Sequence, residues 1–208
     1  MKTLKHFIWD FDGTLMDTYK NITRYLRLAL LDFGKEVSDT EIMQKMMTSI
    51  RFAIEYYSEF YGLEELGERY LYYSANELND EVHTFPYVKE VLAKIKQNGG
   101  KNYIFTHRDN SIFFLLEKCG IKDEFVEVIT AESEQFALKP SPDSICYLME
   151  KYGTKKEDTV MIGDRACDLG SGYNAGCKTI HLLTPMVPEY PPCDFRNESF
   201  KEMLEALD

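Results

Sequence analysis

Four short stretches carry side chains whose types and spacing suit chemistry. Asp10-Phe11-Asp12-Gly13-Thr14 sets two carboxylates one residue apart behind an apolar run, and acids so close are costly unless a cation or a reaction needs them. Thr106-His107-Arg108-Asp109 follows a second apolar run, Lys139-Pro140 stands in a loop, and Gly163-Asp164 leads through Arg165 to Asp168. Carboxylates with no histidine cluster beside them suit a hard, oxygen-loving cation, and Mg2+ fits best. A carboxylate can attack phosphorus and form an acyl phosphate, splitting one hard displacement into two easier ones. Lysine and threonine neutralise the phosphoryl oxygens, backbone N–H groups of the turn at Phe11 and Asp12 bind the remaining ones, and a second carboxylate moves the protons.

These residues need strands that release them at one edge. His6 to Trp9 reads as a strand, as do 102–106, 126–130, 159–162 and 178–182. Helices alternate with them: one from Val88 to the Gly99-Gly100 stop, one over 112–119, and one opened by Ser141 as N-cap with Pro142 at the first helical position. Such alternation implies parallel pairing through right-handed crossovers, with ligands at the carboxyl ends of the strands. Between the first strand and the rest the period is 3.6. Ile22, Tyr25, Leu26, Ala29 and Leu30 mark one helix, Ser38 and Glu41 form a capping box, Ile50 to Tyr61 make a third helix and Leu63 to Leu78 a fourth. The expected fold is α/β: a doubly wound, parallel, Rossmann-like sheet of about five strands with an inserted α-helical cap. The core is 1–17 and 85–208, the cap 18–84, and the tail from Pro185 to Asp194 is a loop before a short terminal helix.

The 208 residues hold 24 basic and 35 acidic side chains, a net charge of −11. So acidic a chain argues against nucleic acid or an anionic membrane as partner. No run reaches a membrane span, and no signal-like segment follows Met1. Five scattered cysteines form no Cys-x-x-Cys pair, which suggests free thiols in a reducing cytoplasm. Gly170-Ser171-Gly172-Tyr173-Asn174-Ala175 imitates a dinucleotide fingerprint but does not directly follow a strand, as that motif requires.

The four stretches, in this order, resemble the motifs of the haloacid dehalogenase-like superfamily, in its helical-cap phosphatase branch of phosphoglycolate phosphatase-like and β-phosphoglucomutase-like proteins. The resemblance implies that Asp10 is the nucleophile and a Mg2+ ligand, and that Asp12 is the acid/base and lends its backbone carbonyl to the metal. It makes Phe11, Asp12, Thr106 and Lys139 the phosphate-binding set, to which His107 is added as a candidate; His107 and Arg108, beside Thr106, are read as touching the substrate, with an exposed loop as the competing reading. It makes Asp164 a metal ligand and puts Asp168 in the metal's outer shell or against Lys139. The expected function is a Mg2+-dependent phosphatase acting on a small phosphorylated metabolite, as a monomer or weak homodimer. Arg51, after Thr48-Ser49 in the cap, is the candidate specificity residue, with a solvated helix-end arginine as the competing reading. A phosphosugar mutase is weakened by Ile22, where that relative carries histidine. A dehalogenase would lack Asp12, and a non-catalytic binding protein would have lost a motif residue.

Overall fold

The computed structural model describes residues 3–75, 82–133, 135–183 and 192–208. The chain divides into two compact units, Met1–Asp17 with His83–Asp208 and Thr18–Val82.

The first unit is built on a parallel sheet. Its strands are β1 (His6–Trp9), β2 (Lys101–Phe105), β3 (Phe125–Ile129), β4 (Thr159–Gly163), β5 (Lys178–Leu182) and β6 (Phe195–Asn197), in the order β3-β2-β1-β4-β5-β6. β1 is therefore central and the order reverses beside it, between β1 and β4. That switch point is where doubly wound sheets open a crevice for ligands. Phe7, Ile8 and Trp9 are buried, as is every residue of β4, because helices cover both faces of such a sheet. The one polar group β1 buries is satisfied: the Trp9 indole N–H donates to Asn102 Oδ1 at 3.1 Å.

The sheet has one strand more than the sequence reading allowed. β6 is a three-residue edge strand with Phe195 and Arg196 exposed, so neither alternation nor an apolar run announces it. A side chain sets its start: Asp194 Oδ2 accepts from the Thr179 N–H at 3.0 Å and the Thr179 hydroxyl at 3.1 Å. The stretch 185–191 of the expected tail loop lies outside the described residues, as does Leu78 of the expected fourth helix.

Five helices complete this unit among the described residues. The chain runs through α5 (Val88–Gln97), α6 (Ile112–Lys118), α7 (Asp143–Tyr152), α8 (Ala166–Ala175) and α9 (Phe200–Leu207), following four earlier helices of the second unit. α7 starts one residue later than expected. Pro142 is its N-cap, and the Ser141 hydroxyl accepts from the Asp143 N–H at 3.3 Å. Residues 83 and 84, assigned from sequence to the cap, belong with the sheet unit. Asp17 N–H donates to His83 O, Phe85 N–H donates to Leu15 O, and Met16 bridges Thr84 antiparallel.

The second unit is helical: α1 (Tyr19–Asp32), α2 (Asp39–Met46), α3 (Ile50–Tyr61) and α4 (Leu66–Ser74). Ser38 and Glu41 close the capping box of α2, satisfying one backbone N–H each. Ser49 caps α3 by accepting from the Phe52 N–H at 2.9 Å, and Gly62 ends it in the left-handed region at φ 67°. No described helix is long and apolar enough to cross a membrane.

Candidate active site

The ladder between β1 and β4 runs one residue past β1, where Asp10 N–H donates to Ile162 O at 2.8 Å. The Asp10 backbone is thus pinned while its side chain leaves the sheet edge. The chain then turns sharply: Leu15 and Met16 N–H both donate to Phe11 O, and Gly13 N–H donates to Met16 O. Gly13 makes this possible at φ 78°, a left-handed backbone that a side chain disfavours. The turn delivers the Thr14 hydroxyl to Asp164 Oδ1 at 2.9 Å, with both residues fully buried.

Asp164 and Asp168 come from the other side of the switch point. β4 ends at Gly163, and α8 starts three residues later with Asp168 in its first turn. A Cβ at Gly163 would stand 2.6 Å from Asp168 Cγ and 2.7 Å from its Oδ2. Glycine therefore lets the first turn of α8 close on the strand end. Asp168 Oδ2 accepts from the Arg165 N–H at 3.0 Å, which ties this carboxylate to its own helix start. The Asp164 carbonyl meets the buried His181 Nε2 at 2.9 Å.

Lys139 joins the two sides. Its ammonium lies 2.5 Å from Asp10 Oδ1 and 2.5 Å from Asp168 Oδ1, and all three side chains are excluded from solvent. Burial pulls a lysine toward neutrality, but the Asp10 and Asp168 charges outweigh it here and hold the ammonium protonated. Asp168 goes below the usual carboxylate range despite burial, because Lys139 and Arg165 face it. Asp10 moves the other way, up to about 6, through burial first and the Asp168 charge second.

Carboxylate oxygens of Asp10, Asp164 and Asp168 lie within 4.8 Å of one another. Asp10 Oδ2 is buried with no hydrogen-bond partner, an orphan acceptor that such a site rarely tolerates. An oxygen-only donor set and an orphaned carboxylate oxygen fit a hard divalent cation. The fit is better for Asp10 and Asp164 than for Asp168, whose two oxygens already serve Lys139 and the Arg165 N–H.

The remaining residues singled out in the sequence fall as follows. Thr106 directly follows β2, which lies beside β1, and is buried, with its hydroxyl accepting from the Arg108 N–H at 3.1 Å. His107 Nε2 accepts the Lys139 backbone N–H at 2.8 Å. Burial first, then the charges of Lys139 and Arg165, bring His107 down to about 4, so its ring is neutral. Phe11 is fully buried. Arg51 lies on α3 with its side chain 81% exposed, paired to Glu55 at 2.8 Å, the geometry of an ordinary surface pair one helical turn apart.

Two arginines join the site, Arg108, for which the sequence left substrate contact and exposed loop as competing readings, and Arg165, which it did not single out. Arg108 grips Asp12: its Nε–H lies 3.1 and 3.0 Å from the two carboxylate oxygens and its Nη2–H 2.6 Å from Oδ1. Arg165 brings its guanidinium to 3.9 Å from both Asp10 Oδ2 and Asp168 Oδ2. The available signal was position alone, a cation beside Thr106 and another inside the Gly-Asp-x-x-x-Asp stretch.

With this geometry in view, the chain compares closely with known proteins. The haloacid dehalogenase-like hydrolase family profile matches residues 7–182. A phosphoglycolate phosphatase of Vibrio vulnificus is 26% identical, over 98% of this chain and 96% of its own length. A pyrophosphatase named PpaX from Bacillus cereus is 25% identical, over 96% and 94%. Among solved structures, a predicted phosphoglycolate phosphatase from Haemophilus somnus covers both chains completely at a TM-score of 0.86 and 21% identity. A hydrolase from Streptococcus pneumoniae is 35% identical at a TM-score of 0.65, covering 88% of this chain and 94% of that one.

Proposed function

Because the chain belongs to the haloacid dehalogenase-like hydrolase family, we propose that it is a Mg2+-dependent phosphatase that hydrolyses a small phosphomonoester through an aspartyl phosphate. One observation carries the reading. Asp10 stands buried at the end of the central strand, with a lysine ammonium on one carboxylate oxygen and the other oxygen orphaned beside Asp164. Its relatives named as phosphatases support the same class.

In this reading a carboxylate oxygen of Asp10 attacks phosphorus, the ester oxygen leaves, and Asp12 gives it a proton. Asp12 then takes a proton from the water that attacks the acyl phosphate, and Asp10 is regenerated. Lys139, the Thr106 hydroxyl and the backbone N–H groups at Phe11 and Asp12 hold the phosphoryl oxygens. Asp168 keeps Lys139 aimed at Asp10, and His107 fixes the loop that carries Lys139 through the Lys139 N–H. Asp10 and Asp164 would hold the Mg2+, which supplies positive charge to the phosphoryl group and keeps Asp10 ionised despite its burial. In this scheme Thr18–Val82 is the cap that selects substrates.

The test is phosphate release from a panel of phosphorylated metabolites, with Mg2+ and with chelator. Turnover that needs Mg2+ and vanishes in Asp10→Asn is the expected result. Unchanged turnover in that variant refutes the nucleophile, and wild-type behaviour of Asp12→Asn refutes the acid/base.

A further inference from the structure

β5 reads Lys-Thr-Ile-His-Leu, and it is buried from Thr179 to Leu182. His181 is the unexpected residue in it. Its side chain is fully buried, and among the described residues its Nδ1 has no hydrogen-bond partner. Nε2 faces the Asp164 carbonyl at 2.9 Å. A carbonyl only accepts, so Nε2 carries the hydrogen and Nδ1 is a bare acceptor. The imidazole thus satisfies one nitrogen and leaves the other unsatisfied, an arrangement that costs stability and calls for a reason. An apolar side chain would fill the same place in a buried strand without that cost.

The contact holds one particular peptide. Gly163 pairs with His181 at the last rung of the β4–β5 ladder, and Asp164 is the first residue beyond β4. The peptide between Asp164 and Arg165 has its carbonyl on His181 and its N–H on Asp168 Oδ2 at 3.0 Å. Both polar groups of one peptide are therefore held by side chains, one from β5 and one from the first turn of α8. Because a peptide is planar, the two anchors together fix how the chain turns out of β4 into α8. That turn sets where the Asp164 carboxylate stands relative to Asp10. It also links His181, through Asp168, to Lys139. The Thr14 hydroxyl on Asp164 Oδ1 steers the side chain, and His181 steers the backbone that carries it.

We infer that His181 is a positioning residue for the cation: by holding the Asp164 carbonyl it keeps the Asp164 carboxylate within reach of the ion that Asp10 also meets. The inference rests on the Mg2+ reading above. His181 touches neither ion nor substrate and acts through Asp164. Partners that orient a metal ligand from behind are worth about 10- to 100-fold in metal affinity.

Urea unfolding at rising Mg2+ concentration and constant ionic strength tests this, since an ion that binds only the folded state stabilises it according to its affinity. The series in chelator gives the stability of the metal-free fold, and the rise with Mg2+ gives the dissociation constant. A merely structural role would move the first and not the second. His181→Leu removes the donor at similar volume. His181→Gln puts an amide N–H where the imidazole Nε2–H stands, whereas the amide of His181→Asn matches Nδ1 and falls short of the Asp164 carbonyl. The Leu and Asn variants are expected to raise the Mg2+ dissociation constant about 10- to 100-fold, and the Gln variant to recover most of that loss. A dissociation constant unchanged in His181→Leu, or raised equally in the Gln and Asn variants, overturns the inference, even where stability in chelator falls. Should His181→Leu fail to fold, the comparison of Gln with Asn decides alone. Asp164→Asn marks the site. A wild type that Mg2+ does not stabilise, or a gain that survives Asp164→Asn, removes the metal reading and the inference with it.

Discussion

Replacing Lys139 by methionine keeps most of the side-chain volume and removes an ammonium held 2.5 Å from both Asp10 and Asp168. At an effective dielectric of ~20, unit charges at that separation attract by roughly 7 kcal/mol per pair. Burying three charged groups offsets most of this, but once the lysine is gone the two carboxylates face each other uncompensated. Breaking a buried ionic set by removing one member costs about 3–5 kcal/mol. That cost should depend on pH in a defined direction. Asp10 already has its carboxyl raised to about 6 against a usual 3.8, and losing the lysine raises it further. An acid whose folded pKa lies above its unfolded one destabilises the fold increasingly as pH rises from the unfolded value through the folded one. The penalty of Lys139→Met is therefore full near pH 8 and shrinks toward pH 5, where a proton shared by Asp10 and Asp168 takes the place of the ammonium. Urea unfolding of both proteins at pH 8 and pH 5, in chelator, measures it. A penalty equal at the two values, or a variant more stable than wild type at pH 8, refutes the reasoning.

Three further outcomes follow from the same site. Thr14→Val removes the hydroxyl that donates to Asp164 Oδ1 and should raise the half-saturating Mg2+ concentration about 10- to 100-fold, as loss of a ligand's supporting hydrogen bond does; an unchanged Mg2+ titration contradicts the metal role of Asp164. Gly163→Ala forces a methyl group against Asp168 and should cost about 1–3 kcal/mol in denaturant unfolding along with activity, so a variant as stable as wild type would show that α8 can move away freely. The His107 ring stays neutral down to about 4 while an unfolded imidazole protonates near 6.5, so its share of stability is lost as pH falls from 6.5 toward 4. His107→Asn, which still offers an acceptor to the Lys139 N–H, should flatten that part of the pH–stability curve, and an identical curve would show that His107 does not titrate this way.

Much of this protein is written locally in its sequence. Strand-and-helix alternation identified a doubly wound parallel sheet, since buried parallel strands are short apolar runs and their crossovers carry a 3.6 period. The Ser38–Glu41 capping box was equally legible, because caps satisfy backbone groups within a few residues. So was the turn after Asp10, which needs glycine at position 13 for its left-handed backbone. What the tertiary structure decided depends on pairs far apart in the chain. β6 has no apolar pattern of its own and is held by Asp194 reaching Thr179 in another element. Lys139 meets Asp10 across 129 positions, and Arg108 meets Asp12 across 96. Sequence spacing supplies the types of these charged groups but not their partners. Only the fold, by setting the ends of β1, β2 and β4 side by side, determines that one acid faces a lysine and an orphaned oxygen while the other is held by an arginine.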